Sequence, residues 1–444
     1  MDYRQLGATG TRVSELCFGT WRFGRRTGGV LETDEAAAHE LLDAFAAGGG
    51  TFIDTANIYG EPNGTSEEYI GNWLETRNRD RYVLASKVYF EFDDANPNGS
   101  GLSRTHIHNQ IEGTLDRLGA DYLDLYYIHR WDEHTPIEET LSALNGLVED
   151  GRVNYLGAST MAAWQLTKAL WTSDVNDYAR FDVTQPLFHA GYYEDVEPYL
   201  DVAADQDLAV CPYSPLAGGF LTGKYTRADP DDPKSVRAPD GSRGSFDERF
   251  ERFYLSERGW KVLEAVREVA DELDATPAQV ALRWLMDQEA FTCVPIVGAR
   301  TVDQLEENLG ATAVSMSEAQ HDRITDARYR EDGWSSGLTI LSAMANLHGE
   351  LRPEDQRRAL YTGLYRVAED CEGQPPKFDQ PAFSARDLSR DRLESWFRET
   401  IEVRDRDGAE RCLQTAIATL DPEESEQFVE ELLELEKVDE ATAY

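Results

Sequence analysis

Between residues 15 and 300 the chain alternates between two textures. Short apolar runs fall at 15–20, 52–57, 82–87, 123–129, 154–159, 183–188, 208–214 and 292–297, and helical patterns lie between them. Strand-like runs separated by amphipathic stretches are the sign of a parallel sheet with crossover helices. Eight such units are the number that closes a (β/α)8 barrel, whose usual length is ~250 residues or more. The clearest helix precedes the fourth run, where Ile107, Ile111, Leu115 and Leu118 keep helical spacing and Gly119 follows as a C-cap. Ahead of the first run, residues 3–6 and 11–13 about Gly7 and Gly10 predict a small hairpin. Segment 225–259, rich in Asp, Pro, Arg and Gly, breaks the alternation after the seventh run. A loop that long in a compact domain is usually functional.

After Arg330 the alternation stops. Helical patterns follow at 338–347, 353–371, 389–402, 409–420 and 422–437, with a Pro-rich spacer at 373–381. Asp421 and Pro422 form an N-cap and first-turn pair. The chain's 444 residues exceed one typical domain. The expected fold is therefore α/β, a (β/α)8 TIM barrel over 1–333 with a C-terminal all-helical appendage over 338–444. That appendage carries no visible catalytic constellation.

Four polar residues end or follow the apolar runs. Asp54 and Lys87 close the second and third, His129 closes the fourth, and Tyr59 lies in the loop after the second. In a barrel the C-terminal strand ends share one mouth whatever the reaction. Singly, each residue has an ordinary explanation: a surface aromatic, a lysine snorkelling to water, a satisfied core histidine. Together, a carboxylate, an ammonium, a phenol and an imidazole on one rim can turn a tyrosine into an acid catalyst. An isolated tyrosine, with a pKa of about 10, is a poor acid at neutral pH. An ammonium ~4 Å away interacts with the phenolate by ~4 kcal/mol at an effective dielectric of ~20. That is up to roughly three pKa units before solvent reduces it. Lys87 is one of only seven lysines, the other 36 of the 43 basic residues being Arg. Arg stays protonated and has a different fork geometry, so it would not replace a compact ammonium beside a phenol.

The text Asp54-Thr55-Ala56-x-x-Tyr59-Gly60, with Leu125-Tyr126-Tyr127-Ile128-His129, resembles the aldo-keto reductases over roughly residues 1–330. The resemblance implies that Tyr59 gives a proton to a carbonyl oxygen, that Asp54 keeps Lys87 charged and aimed, and that His129 orients the carbonyl and shares its developing charge. No Gly-x-Gly-x-x-Gly follows a predicted strand, which argues against a Rossmann site. By the same resemblance Ser159 and Gln185 hold a nicotinamide carboxamide, although the family's usual Asn after that Ser is Thr160 here. The long match over 213–225 assigns Tyr213 to stack on the nicotinamide and Ser214, Leu216 and Gly218 to approach the pyrophosphate. Arg300, Gln304, Glu307 and Asn308 correspond to the adenosine-phosphate end. There many reductases have Lys-Ser and this chain has Gly298-Ala299. Arg300 is then the candidate partner of a 2′-phosphate, since guanidinium pairs well with phosphate. NADP(H) is favoured as the cofactor, with NAD(H) left open. The hairpin closes the bottom of the barrel in this family, and the 225–259 loop folds over the cofactor. Trp21, Trp131 and Phe188 lie near strand ends and are candidates for a substrate pocket.

No metal is expected. His106 and His108, two apart on a helix, point to different faces, and Glu133 with His134 lacks the ligand count for zinc.

Composition then narrows the setting. The 41% of hydrophobic residues is enough for a sizeable core. The net charge of −40 argues against nucleic acid as a partner, since that demands basic patches. An acid-rich, lysine-poor composition resembles that of proteins from salt-accumulating halophiles. It would need salt, because a Debye length of about 10 Å at 0.1 M leaves much self-repulsion unscreened. No stretch approaches the ~20 apolar residues of a membrane span, and residues 1–5 lack the order of a signal peptide. Five scattered cysteines read as buried thiols of a reducing cytoplasm. The expected function is NADP(H)-dependent reduction of an aldehyde or ketone, or oxidation of the corresponding alcohol, by direct hydride transfer on a small carbonyl or sugar substrate. The alternatives are a sugar or polyol dehydrogenase and a cofactor-sensing subunit. The last would engage a protein partner or self-associate through the C-terminal helices.

Overall fold

The computed structural model describes residues 1–192, 196–229, 232–239, 242, 250 and 254–328, with Arg392, Leu393, Trp396 and Thr415. Eight parallel strands form one sheet: β1 (Cys17–Gly19), β2 (Phe52–Asp54), β3 (Val83–Val88), β4 (Leu123–Ile128), β5 (Val153–Ser159), β6 (Phe181–Gln185), β7 (Ala209–Val210) and β8 (Ile296–Val297). Their spatial order is β7-β6-β5-β4-β3-β2-β1-β8. The ring closes where Val210 bridges Cys293 in parallel. There Val210 N donates to Thr292 O at 2.8 Å, Val294 N to Val210 O at 2.8 Å, and Ile296 N to Pro212 O at 3.0 Å. The sheet is therefore that of a (β/α)8 barrel.

Six helices alternate with the first seven strands: α1 (Glu35–Ala47), α2 (Thr65–Leu74), α3 (Arg104–Leu118), α4 (Ile137–Glu149), α5 (Ala163–Asn176) and α6 (Glu197–Asp205). Between β7 and β8 come α7 (Glu257–Leu273) and α8 (Pro277–Met286), and α9 (Val302–Leu309) and α10 (Glu318–Asp326) follow β8. Helix α3 begins at Ser103, whose hydroxyl accepts from His106 N, and ends at Gly119 in the left-handed conformation, as its sequence predicts. The larger core cluster fills the space between strands and helices and includes Phe18, Ile53, Tyr126, Leu156 and Val210.

A second cluster fills the barrel, with Cys17, Phe52, Val83, Ala85, Leu125, Tyr127, Val183, Ala209 and Cys211. Side chains of a strand alternate between faces, so residues two apart share one. Where Tyr127 reaches across the interior, β5 carries Gly157, and a Cβ there would lie 2.3 Å from the Tyr127 ring. The lower end is covered by a hairpin of Tyr3–Gln5 paired with Arg12–Ser14, whose Leu6 and Val13 are fully buried.

Several strands are shorter than their apolar runs predict, two of them by the most. The run 208–214 yields only Ala209–Val210, and 292–297 yields only Ile296–Val297. Pro212 and Pro295 lack the N–H that a ladder needs, so the chain passes through them paired by isolated bonds. Pro186 likewise follows the last residue of β6, inside the run 183–188. Cys17, Cys211 and Cys293 are buried free thiols. Among the described residues no helix is long and apolar enough to cross a membrane.

The chain divides into two compact units, Met1–Tyr329 and Arg330–Tyr444. The five helical patterns predicted over 338–444 lie outside the described residues, apart from the four named above. So does much of the predicted loop at 225–259.

Candidate active site

The strand period puts the polar residues at the top of the barrel interior. Asp54 continues the inward face of Phe52, and Lys87 that of Val83 and Ala85. His129 follows Leu125 and Tyr127, and Gln185 follows Val183. Lys87 is fully buried and Asp54 is 3% exposed. Lys87 Nζ donates to Asp54 Oδ1 at 2.6 Å, to the Thr55 carbonyl at 2.7 Å and to Tyr59 Oη at 3.2 Å. All three ammonium protons thus have acceptors. Burial alone would lower the pKa of Lys87, but Asp54 and Tyr59 outweigh it and the net direction is upward. Lys87 is therefore a cation at neutral pH.

Tyr59 reaches this cation from a tight loop. Tyr59 N donates to Ala56 O at 3.0 Å, and Ser66 N to Tyr59 O at 3.0 Å. Gly60 has φ +96°, and a Cβ there would meet Thr65 Cβ at 2.6 Å, so the turn behind the tyrosine needs glycine. The sequence reading has Lys87 lowering the tyrosine pKa, and it does pull in that direction. Burial is the larger cause, however, and the phenol lies above its ordinary value. His129 is held well below the usual histidine range by burial, then by Lys87 and Arg130. It is a neutral imidazole, edge-on to Tyr59 at 6.0 Å and to Phe90 at 4.9 Å between ring centroids. Its buried Nδ1 has no hydrogen-bond partner among the described residues.

Ser159 and Gln185 end adjacent strands and are in register. Ser159 Oγ donates to the Gln185 carbonyl at 2.8 Å, and Gln185 Nε2 donates to Asp54 Oδ2 at 2.9 Å. Tyr213 N donates to Pro186 O at 3.0 Å, which seats this residue beside them. Thr160 has φ +46°, a strained conformation for a β-branched residue.

Beyond Tyr213 the chain folds into a tight coil through Ala217–Thr222, with positive φ at Ser214, Ala217, Gly218, Gly219 and Gly223. Ser214, Leu216 and Gly218 are half-buried on it. A Cβ at Gly219 would lie 2.9 Å from Lys224 Nζ, so an ammonium sits against this bare backbone. Gly-rich backbone beside a cation suits a pyrophosphate.

Arg300, Gln304, Glu307 and Asn308 group separately, at α9 after β8. Thr301 caps this helix, and Arg300 N donates to Gln304 Oε1 at 3.0 Å. Helix N-termini favour anions.

The three pocket aromatics part company. Trp131 packs edge-on to the exposed Trp164 at 5.9 Å. Trp21 stacks under the Arg25 guanidinium at 3.8 Å. Phe188, by contrast, is fully buried against Trp284 and Phe291, at 5.7 and 6.4 Å, and belongs to the core instead of a pocket.

Sequence reasoning missed Lys224, Phe90, Trp164 and the Thr55 carbonyl. The scarcity of lysine that singled out Lys87 applies equally to Lys224. A main-chain oxygen leaves no mark in the sequence. Among the described residues no group of three or more His, Cys, Asp or Glu converges as metal ligands would.

The sequence model of the aldo/keto reductase family matches residues 15–328. The chain belongs to the aldo/keto reductase family. This aldo/keto reductase is 35% identical over 323 residues to an uncharacterised oxidoreductase of Bacillus subtilis (strain 168), covering 71% of this chain and 92% of that one. It is 33% identical over 343 residues to an aryl-alcohol dehydrogenase [NADP(+)] of Phanerodontia chrysosporium, covering 73% and 85%. To an L-glyceraldehyde 3-phosphate reductase of Escherichia coli O157:H7 it is 32% identical over 321 residues, covering 70% and 87%. As a member of this family it is a nicotinamide-dependent oxidoreductase.

Proposed function

We propose that this aldo/keto reductase reduces aldehyde and ketone carbonyls with NADPH, using Tyr59 as the acid. The observation that carries the reading is the buried ammonium of Lys87, bonded at once to Asp54 and to the Tyr59 phenol. When bound, the cofactor supplies the hydride. Tyr59, which like any tyrosine keeps its proton at neutral pH and here holds it more firmly still, supplies that proton to the carbonyl oxygen. Neutral His129 orients that oxygen and shares its developing charge by donating a hydrogen bond. In the reverse direction the phenolate of the same tyrosine takes the proton of an alcohol.

The residues fit a nicotinamide dinucleotide. Ser159 and Gln185 form a polar floor for a carboxamide, Tyr213 a ring beside it, and the Ser214–Gly219 coil with Lys224 a seat for phosphates. The capped N-terminus of α9 with Arg300, Gln304, Glu307 and Asn308 suits an adenosine ribose phosphate. Arg300 favours the 2′-phosphate form, and one relative is named for NADP(+). Trp131 and Trp164 offer an aromatic edge for the substrate.

The test is Tyr59→Phe with a panel of aldehydes and ketones. Reduction should fall by about 10²–10⁴-fold, the usual cost of losing a general acid, while NADPH binding persists. A variant within about threefold of the parent removes Tyr59 from the mechanism, against that expected loss.

A further inference from the structure

Gln185 does more than floor the cofactor site. Its Nε2 donates to Asp54 Oδ2 at 2.9 Å, while Lys87 Nζ takes Oδ1 at 2.6 Å. Gln185 and Asp54 are each 3% exposed, so both carboxylate oxygens have a donor away from water. An ionised carboxylate only accepts, which fixes the amide nitrogen, and not its oxygen, toward Asp54. The amide Oε1 remains an acceptor for a carboxamide N–H. One side chain therefore joins the cofactor floor to the acid relay.

We infer that Gln185 is a positioning residue for the acid, holding Asp54 in the rotamer that aims Oδ1 at Lys87 and drawing part of the carboxylate's charge onto its own amide. The inference rests on the proposed role of Tyr59. The groups that face the Tyr59 phenol are Lys87, Asp54 and Tyr213, with the His129 ring edge-on. Asp54 and Lys87 act on that phenol with opposite sign, the carboxylate raising its pKa and the ammonium lowering it. Without the amide, Asp54 presents more charge to Tyr59 and draws Lys87 more tightly to itself. Both changes make Tyr59 a weaker acid.

The experiment compares Gln185→Met, which keeps the length without the donor, with Gln185→Glu, which keeps the shape but replaces the donor by an acceptor. Rate against pH is measured in both reaction directions at saturating cofactor. The dissociation constant of NADPH is measured by fluorescence, and the cofactor-free phenol is titrated by ultraviolet difference against Tyr59→Phe. The tyrosine midpoint should rise by roughly one pH unit in Gln185→Met and further in Gln185→Glu. Alcohol oxidation at a fixed pH below that midpoint should then fall about tenfold per unit. The cofactor-free phenol should move the same way. Weakened NADPH binding with an unmoved midpoint in both variants would make Gln185 a cofactor contact and nothing more, overturning the inference. If the unaltered protein shows no tyrosine midpoint that Tyr59→Phe abolishes, the acid role fails and the inference falls with it. Should Gln185→Met not fold, the isosteric Gln185→Glu carries the same comparison.

Discussion

At Tyr59 two effects of opposite sign meet on one oxygen. Burial raises the phenol's pKa and Lys87 lowers it, with burial the larger. The folded tyrosine thus keeps its proton above the ordinary midpoint of about 10. Reduction should accordingly not decline at alkaline pH until beyond that value, and it should show no break near ~6.5 from His129, whose neutral form already prevails there. Replacing Lys87 by Met removes the one strong downward pull. The phenol's pKa then rises further, the alkaline limb moves to higher pH, and turnover slows in both directions. A pH profile of Lys87→Met that superimposes on the parent's would contradict the pairing. Because this variant leaves Asp54 without its ion pair, its melting curve belongs beside the kinetics. The convergence of Asp54, Tyr59, Lys87 and His129 was legible because residue type and strand-end position together specify it. The Gln185–Asp54 bond was not, since 131 residues separate the partners and only the closed sheet brings them together.

The elements divide the work between the two ends of the barrel. The upper strand ends carry Asp54, Lys87, His129, Ser159 and Gln185, while the lower end is packed by the hairpin. Gly7, at the turn of that hairpin, has φ +57°, and a Cβ there would meet Ala209 N at 2.7 Å and Asp207 O at 2.9 Å. Gly7→Ala should cost about 1–3 kcal/mol through strain yet leave kcat/KM at 25 °C unchanged, because barrel chemistry sits at the other end. A calorimetric melt with parallel kinetics checks it, and a loss of activity in the still-folded variant would place the hairpin in the site. The alternation of apolar runs specified the eight strands, because burial on both faces forces apolar sequence. Strand lengths were less legible. At Pro212 and Pro295 hydrophobicity continues but the hydrogen-bonding capacity does not, so β7 ends early and β8 starts late. Phe188 misled for a related reason: strand-end position places a residue near the mouth but does not say whether its ring turns inward or toward the helices.

For the whole molecule, the dominating quantity is the net charge of −40. Its surplus of 83 acidic over 43 basic residues repels itself in dilute buffer, and the Debye length shortens to about 3 Å near 1 M salt. The melting temperature should therefore rise between dilute buffer and molar KCl. Circular dichroism melts in the two media decide this, and equal midpoints would sink the idea of a salt-adapted protein. Such a shift would concern the surface only, since the buried Lys87–Asp54 pair is screened far less than exposed charges.

The stopper formed by Leu6 and Val13 has a consequence for traffic. With the lower end packed and the interior filled by side chains, the way in lies at the upper mouth. Ser159 and Gln185 lie deep in it, at 1% and 3% exposure, while Tyr59 and His129 are half-buried nearer the lip. On the proposed function, whatever settles on the deep pair should arrive before a carbonyl closes the way at the lip, and should leave only after that carbonyl has gone. Turnover is then expected to be last in, first out.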